Sequence, residues 1–219
     1  MITVSIVTFH TAIEELQKCL QSLTSSHIEC IFIIDNSQED YIRTFCATQP
    51  KIEYIPQDNI GYGAAHNIAI AKSIARHATY HLVLNSDVYF APDSINAIES
   101  YMDEHPDVGQ LIPNTIYPDG QLQHVVRLLP TPAIPILRRF LPNTWFQKQN
   151  NQFLLKDWKH DKPLNVPFHM GCFMFFRNTI LQEVGGFDER FFMYMEDIDL
   201  TRRVYRKAKT LFWPAITIV

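Results

Sequence analysis

Most of the short signatures that mark a cofactor, a metal or a compartment are missing from this chain. Glycine is scarce, seven in 219 residues. No G-x-G-x-x-G follows the first apolar run and no glycine-rich P-loop occurs, which argues against a dinucleotide-binding dehydrogenase and a P-loop nucleotide hydrolase. The four cysteines, Cys19, Cys30, Cys46 and Cys172, include no C-x-x-C pair, so neither a zinc knuckle nor a redox dithiol is indicated. Free thiols in a reducing compartment are expected. Positive charge is not in excess: the formal net charge is -4 and the pI about 6.1, which gives no support to nucleic-acid binding. No apolar run approaches the ~20 residues of a spanning helix. Met1-Ile2-Thr3-Val4-Ser5 enters a strand without the basic and apolar regions of a signal peptide. A cytoplasmic protein is the expectation.

What is present suffices for a core. Hydrophobic residues make up 47% of the chain and charged residues 19%, and the length suits one domain. Residues 4–9 are β-branched and apolar, as a buried strand requires. Ile13, Leu16, Leu20 and Leu23 then recur at helical spacing, and residues 30–34 form a second short apolar run. Two strands around one helix make a βαβ unit and favour a parallel sheet. Further strands are expected over 52–55, 81–84, 108–113 and 166–176, and at the end over 210–213 and 215–219. Helices are expected over 41–48, 68–78, 92–105, 179–184 and 196–206. From 117 to 167 prolines are frequent and periodicity is weak. There, residues 134–146 mix apolar side chains with Arg138 and Arg139. That fits a surface lobe with solvated charges, or else an acceptor-binding or membrane-facing segment.

Four polar clusters fall at or just after apolar runs: Asp35-Asn36-Ser37, the loop from Gly61 to Asn67, Asn85-Ser86-Asp87, and Glu196-Asp197. Each alone has a bland account, since Asp and Asn form turns, glycines bend the backbone and acids suit a first helical turn. Together on one βα scaffold they read as one crevice at the carboxyl ends of strands. A carboxylate such as Asp87 there is well sited to hold a hard cation and, through it, a phosphate.

Five stretches in order along the chain carry a resemblance. They are Val4-Ser5-Ile6-Val7-Thr8-Phe9-His10, Ile33-Ile34-Asp35-Asn36-Ser37, Asn59-Ile60-Gly61-Tyr62-Gly63-Ala64-Ala65-His66-Asn67, Leu84-Asn85-Ser86-Asp87, and Gly185-Gly186-Phe187-Asp188-Glu189-Arg190-Phe191-Phe192 through Glu196-Asp197-Ile198-Asp199-Leu200-Thr201-Arg202-Arg203. This ordered set resembles the signatures of family-2 glycosyltransferases and is most similar to the rhamnosyltransferase-like branch. It covers nearly the whole chain; the specificity lies in the order, not in any one piece. The resemblance implies the GT-A fold: an α/β, Rossmann-like, mostly parallel central sheet flanked by helices, with an acceptor-side lobe. It also implies a nucleotide-diphosphate sugar donor, Mg²⁺ or Mn²⁺, inversion at the anomeric centre, and a polysaccharide or lipid-linked saccharide acceptor met at the inner face of the cytoplasmic membrane. Residues 1–113 would form the nucleotide-sugar half of a single domain and residues 114–219 the acceptor and catalytic-base half.

The resemblance also assigns roles. Thr8, Phe9 and His10 would border the nucleotide, Asp35 would contact base or ribose, and Asn67 would lie near the nucleotide. Asn85, Ser86 and Asp87 stand where the family has D-x-D, with Asp87 on the metal. Asp197 would be the general base, with Glu196, Met170 and Gly171 on the acceptor side and Arg202 or Arg203 near the diphosphate. Three departures stand out. His10 replaces a common Asn, Asn85 replaces the first Asp of D-x-D, and a His that related enzymes carry beyond the strand ending at Val219 is not reached. A truncated, poorly active form is therefore expected. Two alternatives are a non-catalytic nucleotide-sugar-binding module and a sugar nucleotidyltransferase. Intact Asp87 and Asp197 argue against the first. Phe9-His10-Thr11-Ala12, in place of a G-x-G-x-R loop, argues against the second.

Overall fold

Alternation along the first strand, β1 (Ile2–Thr8), sets up two different faces of one sheet. Ile2, Val4 and Ile6 are fully buried on one face. Thr3 and Ser5, equally buried, point to the other. The chain continues through α1 (Ile13–Gln21), β2 (Ile28–Asp35), α2 (Asp40–Cys46), β3 (Ile52–Pro56), α3 (Tyr62–Ala75), β4 (Tyr80–Asn85), α4 (Ser94–Glu104) and β5 (Val108–Thr115). Short strands β6 (Val126–Arg127), β7 (Leu164–Asn165) and β8 (Phe168–His169) precede β9 (Phe173–Arg177), α5 (Asn178–Val184), α6 (Glu196–Tyr205) and β10 (Lys209–Ile218). The structure, a computed structural model, describes residues 1–128, 151, 153, 155 and 158–219. The segment 134–146 with Arg138 and Arg139 lies outside the described residues.

The main sheet has the order β3-β2-β1-β4-β9-β5-β10-β7. β1 runs parallel to both β2 and β4, and β3 parallel to β2. The chain thus steps outward from β1 to β3, then returns to the opposite side of β1 as β4. Such a reversal is a topological switch point, where a crevice opens beyond the strand ends. Antiparallel β9 sits between β4 and β5, and β10 runs parallel to β5. On one face Leu16 of α1, Ile42 of α2 and Ile95, Ile98 and Met102 of α4 cover Ile2, Val4, Ile33, Leu84, Phe173 and Phe175. Each such side chain contributes about 1.5–3 kcal/mol on burial. On the other face Ile70 of α3, Leu181 of α5 and Leu200 and Val204 of α6 cover Val83, Met174 and Phe176. This is the α/β sheet with flanking helices that the sequence patterns call for.

Three elements depart from the sequence-based expectation by more than a residue or two at their ends. Helix α3 starts at Tyr62, not near residue 68, because Gly61, at φ +90°, turns the chain and the small residues after it seat the first turn against the sheet. The apolar run 166–176 is not one strand. The ladder breaks between β8 and β9, where the Gly171 N–H donates to a side chain rather than to a strand. The final two strands are one, β10, whose register against β5 shifts between Trp213 and Thr217. Pro214, lacking an N–H, sits within that irregularity, as proline in a sheet commonly does.

Gly61 is the most constrained of these positions. A Cβ there would stand 2.3 Å from the Phe192 carbonyl oxygen, which accepts the Tyr62 N–H at 3.1 Å. Gly61→Ala is expected to lower unfolding stability by more than ~2 kcal/mol through positive-φ strain and this clash. Urea titration would check it; a loss under ~0.5 kcal/mol, the range of an ordinary surface change, would contradict the account.

Candidate active site

The carboxyl ends of β1 and β4, paired Val7 to Asn85, open into two adjoining clefts of about 300 and 650 Å³. Both are lined by Glu15, Tyr62, Asn85, Asp87 and Met193. The smaller adds Val7, Phe9, Thr11, Asn36, Asn59 and Ser86. The larger adds Lys18, Tyr117, Gln123, Met170, Gly171, Glu196 and Asp197. The Asn85-Ser86-Asp87 turn therefore forms the ridge between them. Asp87 is exposed.

Asp197 reaches the larger cleft from the first turn of α6. Its Oδ1 accepts the N–H of Ile198 at 2.8 Å and its Oδ2 the N–H of Gly171 at 2.9 Å. Each oxygen keeps a further lone pair for a ligand. Burial raises the Asp197 pKa above its ordinary value, and the two backbone donors work against that rise. Glu196 beside it is buried, and its Oε2 has no hydrogen-bond partner among the described residues. Burial, with the charge of Asp197, raises its pKa too. A carboxylate poised above its usual range, half-open to a cleft, is suited to taking a proton.

Tyr62 joins the two sides. Its Oη lies 3.1 Å from Asn85 Oδ1 and 2.7 Å from the Gly171 carbonyl oxygen. The backbone N–H of Asn85 donates to the Cys172 carbonyl at 2.9 Å. The chain between β8 and β9 is thus bound to the end of β4 and to α6 at once. Gly171 suits this place: a Cβ there would meet Asp197 at 3.4 Å and the Tyr62 ring at 3.6 Å. Gly63 allows the same closeness further along, with Phe187 2.9 Å and Glu196 3.5 Å from the position of a Cβ.

Of the residues singled out from the sequence, Phe9, Asn85, Ser86, Asp87, Met170, Gly171, Glu196 and Asp197 line the clefts. The others stand behind or beside them. Thr8 and Asp35 are fully buried. The Asp35 carboxylate accepts from the hydroxyls of Thr8, Ser37 and Tyr54 and from the N–H groups of Ser37 and Glu39. His10 pairs with Glu39 on the exterior. Asn67 clamps the turn before α6: its amide donates to the Phe187 carbonyl and to Glu189, and accepts the Phe187 N–H. Arg203 is engaged by Asp199 and the Val184 carbonyl, and Arg202 is exposed outside both clefts. Sequence reasoning gave no individual role to Tyr62, Asn36, Asn59 and Lys18. The first three lay inside the motifs quoted above, where polar neighbours of the named residues were the available signal.

Comparison with known proteins decides the family. The model of glycosyl transferase family 2 matches residues 3–185. The chain belongs to this family. Among curated relatives of this family-2 glycosyltransferase, N-acetylglucosaminyl-diphospho-decaprenol L-rhamnosyltransferase of Mycobacterium tuberculosis is 30% identical over 84% of the chain, which spans 63% of that relative's length. Rhamnosyltransferase WbbL of Escherichia coli is 26% identical over 91% of the chain and 75% of its own length. In fold, the chain resembles the mannosyltransferase PcManGT of Pyrobaculum calidifontis, solved in complex with GDP-Man and Mn²⁺, with a TM-score of 0.65 and 17% identity over 100% of this chain and 56% of that one. The α/β architecture described above is that of the GT-A glycosyltransferases.

Burial tends to raise the Asp35 pKa, but the hydrogen bonds from Ser37, Tyr54 and Glu39 outweigh it and hold the pKa below the ordinary 3.8. A depressed folded-state pKa contributes stability that is complete above the unfolded value and is lost as pH falls through the folded one. Asp35→Asn is thus expected to cost about 1–3 kcal/mol at neutral pH. The gap from wild type should narrow as pH drops below about 4. Denaturant melts across that range would check the sign; a gap that widens on acidification is the contrary result.

Proposed function

We propose that the chain is an inverting glycosyltransferase that moves a sugar, rhamnose by analogy with the relatives, from a nucleotide-diphosphate donor to a lipid-linked saccharide. One observation carries the reading: Asp197, held by the Gly171 N–H, shares a cleft with the open carboxylate of Asp87. Residues 1–113, joined by Met193, supply the smaller cleft for the nucleotide, and residues 114–219 bring most of the acceptor side and the base.

Phe9, Asn36 and Asn59 offer an aromatic ring and amides to a base and ribose in the smaller cleft. The sugar then reaches past Asp87 toward Asp197. The acceptor hydroxyl loses its proton to an Asp197 oxygen while its own oxygen attacks the anomeric carbon. The bond from that carbon to the diphosphate breaks in the same displacement, which inverts the centre. The clefts position both reactants and so lower the barrier. Asp87 makes no hydrogen bond or ion pair among the described residues, and no group of three or more His, Cys, Asp or Glu among them forms a metal site. That fits a cation which arrives with the diphosphate, as Mg²⁺ typically does. Mg²⁺ or Mn²⁺, held by Asp87 and the diphosphate oxygens, would stabilise charge on the departing nucleotide. Lys18, cationic and lining the larger cleft, adds to that stabilisation.

The rim of the larger cleft supports a lipid-linked acceptor. Phe192, Met193, Tyr194 and Met195 are each more than half exposed in one stretch before α6, and Tyr117, also exposed, lines the same cleft. Exposed contiguous apolar surface marks interaction sites. No helix among the described residues is long and apolar enough to cross a membrane. The reading therefore places the protein at a membrane face, with this rim against the lipid of its acceptor.

Incubation with UDP-, GDP- and dTDP-sugars, Mn²⁺ and a polyprenyl-diphosphate-linked saccharide should release nucleoside diphosphate from one donor. Asp197→Asn should cut that rate by about 10²–10⁴-fold. No release from any donor would sink the reading, and an unaffected Asn variant would sink the base assignment. The acid limb of the pH–rate profile should lie above the ordinary aspartate value, since Asp197 acts only when ionised and its pKa is raised. Replacing Met193 and Tyr194 together by Ser should weaken sedimentation with liposomes containing the acceptor while leaving the melting temperature unchanged. Equal sedimentation would remove the rim from the account.

A further inference from the structure

The Tyr62 hydroxyl faces two oxygens with one proton. Its Oη is 2.7 Å from the Gly171 carbonyl and 3.1 Å from Asn85 Oδ1. A phenol has a single O–H, and neither a carbonyl nor an amide oxygen can donate in return. The Gly171 peptide is fixed, its N–H on Asp197 and the next carbonyl, that of Cys172, on the Asn85 N–H. The Asn85 amide is not fixed. Its Nδ2 makes no hydrogen bond among the described residues and is not shut off from the cleft. Oxygen and nitrogen of an amide have nearly the same shape, so their placement follows the hydrogen-bond network.

One arrangement satisfies every group. Turned by half a rotation, Asn85 donates from Nδ2 to Tyr62 Oη, and Tyr62 donates to the Gly171 carbonyl. The Asn85 oxygen then faces the cleft beside Asp87. The Tyr62 ring is held for this task, edge-on to His66 at 4.4 Å between centroids and to Phe187 at 6.1 Å.

We propose that Tyr62 is a positioning residue whose hydroxyl turns the Asn85 amide, presenting Asn85 Oδ1 beside Asp87 as a neutral oxygen for the cation carried by the donor diphosphate. The Asn at the first place of Asn-Ser-Asp then works as a ligand only because Tyr62 orients it. The same phenol reaches Gly171, whose N–H holds Asp197, so one hydroxyl joins the donor-binding and proton-accepting sides. The proposal rests on the glycosyltransferase reading above.

The test is calorimetric titration of the whole chain with UDP, GDP and dTDP, each with Mn²⁺ and with EDTA. Wild type should bind one of them more tightly with Mn²⁺. Tyr62→Phe should reduce that Mn²⁺-dependent gain by about tenfold, the size of effect expected when an outer partner of a metal ligand is removed. The quantity compared is the ratio of affinities with Mn²⁺ and with EDTA in each protein. Adding Asn85→Asp to Tyr62→Phe should restore the gain, because a carboxylate presents an oxygen whichever way it turns. Loss of packing alone would not be rescued by a change at position 85. An undiminished gain in Tyr62→Phe, or no rescue by the second substitution, overturns the proposal and leaves the glycosyltransferase reading standing. A wild type that binds no nucleotide with Mn²⁺ removes that reading, and the role of Tyr62 falls with it.

Discussion

The close approach of α3 to the segment entering α6 is the constraint on which the site depends. The Phe192 carbonyl oxygen occupies the space where any side chain at 61 would begin, and Phe187 does nearly the same at 63. Between these glycines Tyr62 enters the crevice, its N–H on Phe192 and its hydroxyl near Asn85 and Gly171. Gly171 in turn holds Asp197. A bulkier start to α3 would push the α6 segment outward and separate the Asp87 carboxylate, in the turn after β4, from that of Asp197 in α6. Asn67 secures the same contact one turn later by taking both polar groups of Phe187.

Beneath this contact lies a buried polar seam. Thr3 and Ser5 of β1 hydrogen-bond the two ring nitrogens of His81, Ser5 also reaches His66, and Ser73 joins Thr3 to Asn178. Burial drives the His81 pKa down to about 3, and that of His66 well below its ordinary value, so both rings stay neutral. Neutral rings that share hydroxyl partners avoid the large cost of a buried charge. The seam fixes the register of α3 against β1 and β4 through directional bonds, which apolar contacts alone would leave looser. Since His66 also packs on Tyr62, the seam supports the site from below.

Much of the fold was legible because period and composition carry it. The apolar runs of β1, β2 and β4 and the helical spacing of Leu16, Ile95, Ile98 and Met102 mark buried faces without reference to anything distant. The glycine pair Gly185-Gly186 follows α5 directly, and Gly185 takes the left-handed conformation there, at φ +87°. The break at Gly171 was not legible. Residues 166–176 carry one polar side chain, His169, and nothing local says that one N–H in the run leaves the ladder for a carboxylate 26 residues away.

Site residues divide along the same line. Asp87 and Asp197 were visible as acids placed after an apolar run or at the start of a helix. Asp35 and Asn67 looked just as suitable, yet their polar groups are taken up within the fold: five donors surround one carboxylate, and the other side chain binds a turn. The sequence by itself determined the α/β sheet, the strand ends where polar residues gather, and the family to which their order belongs. Those follow from periodicity and local turn chemistry, which neighbouring residues set. Only the tertiary structure decided which polar groups remain free to meet a ligand and that Tyr62 stands between Asn85 and Gly171. Hydrogen-bond capacity is used up by partners distant in the chain, and no local pattern records that.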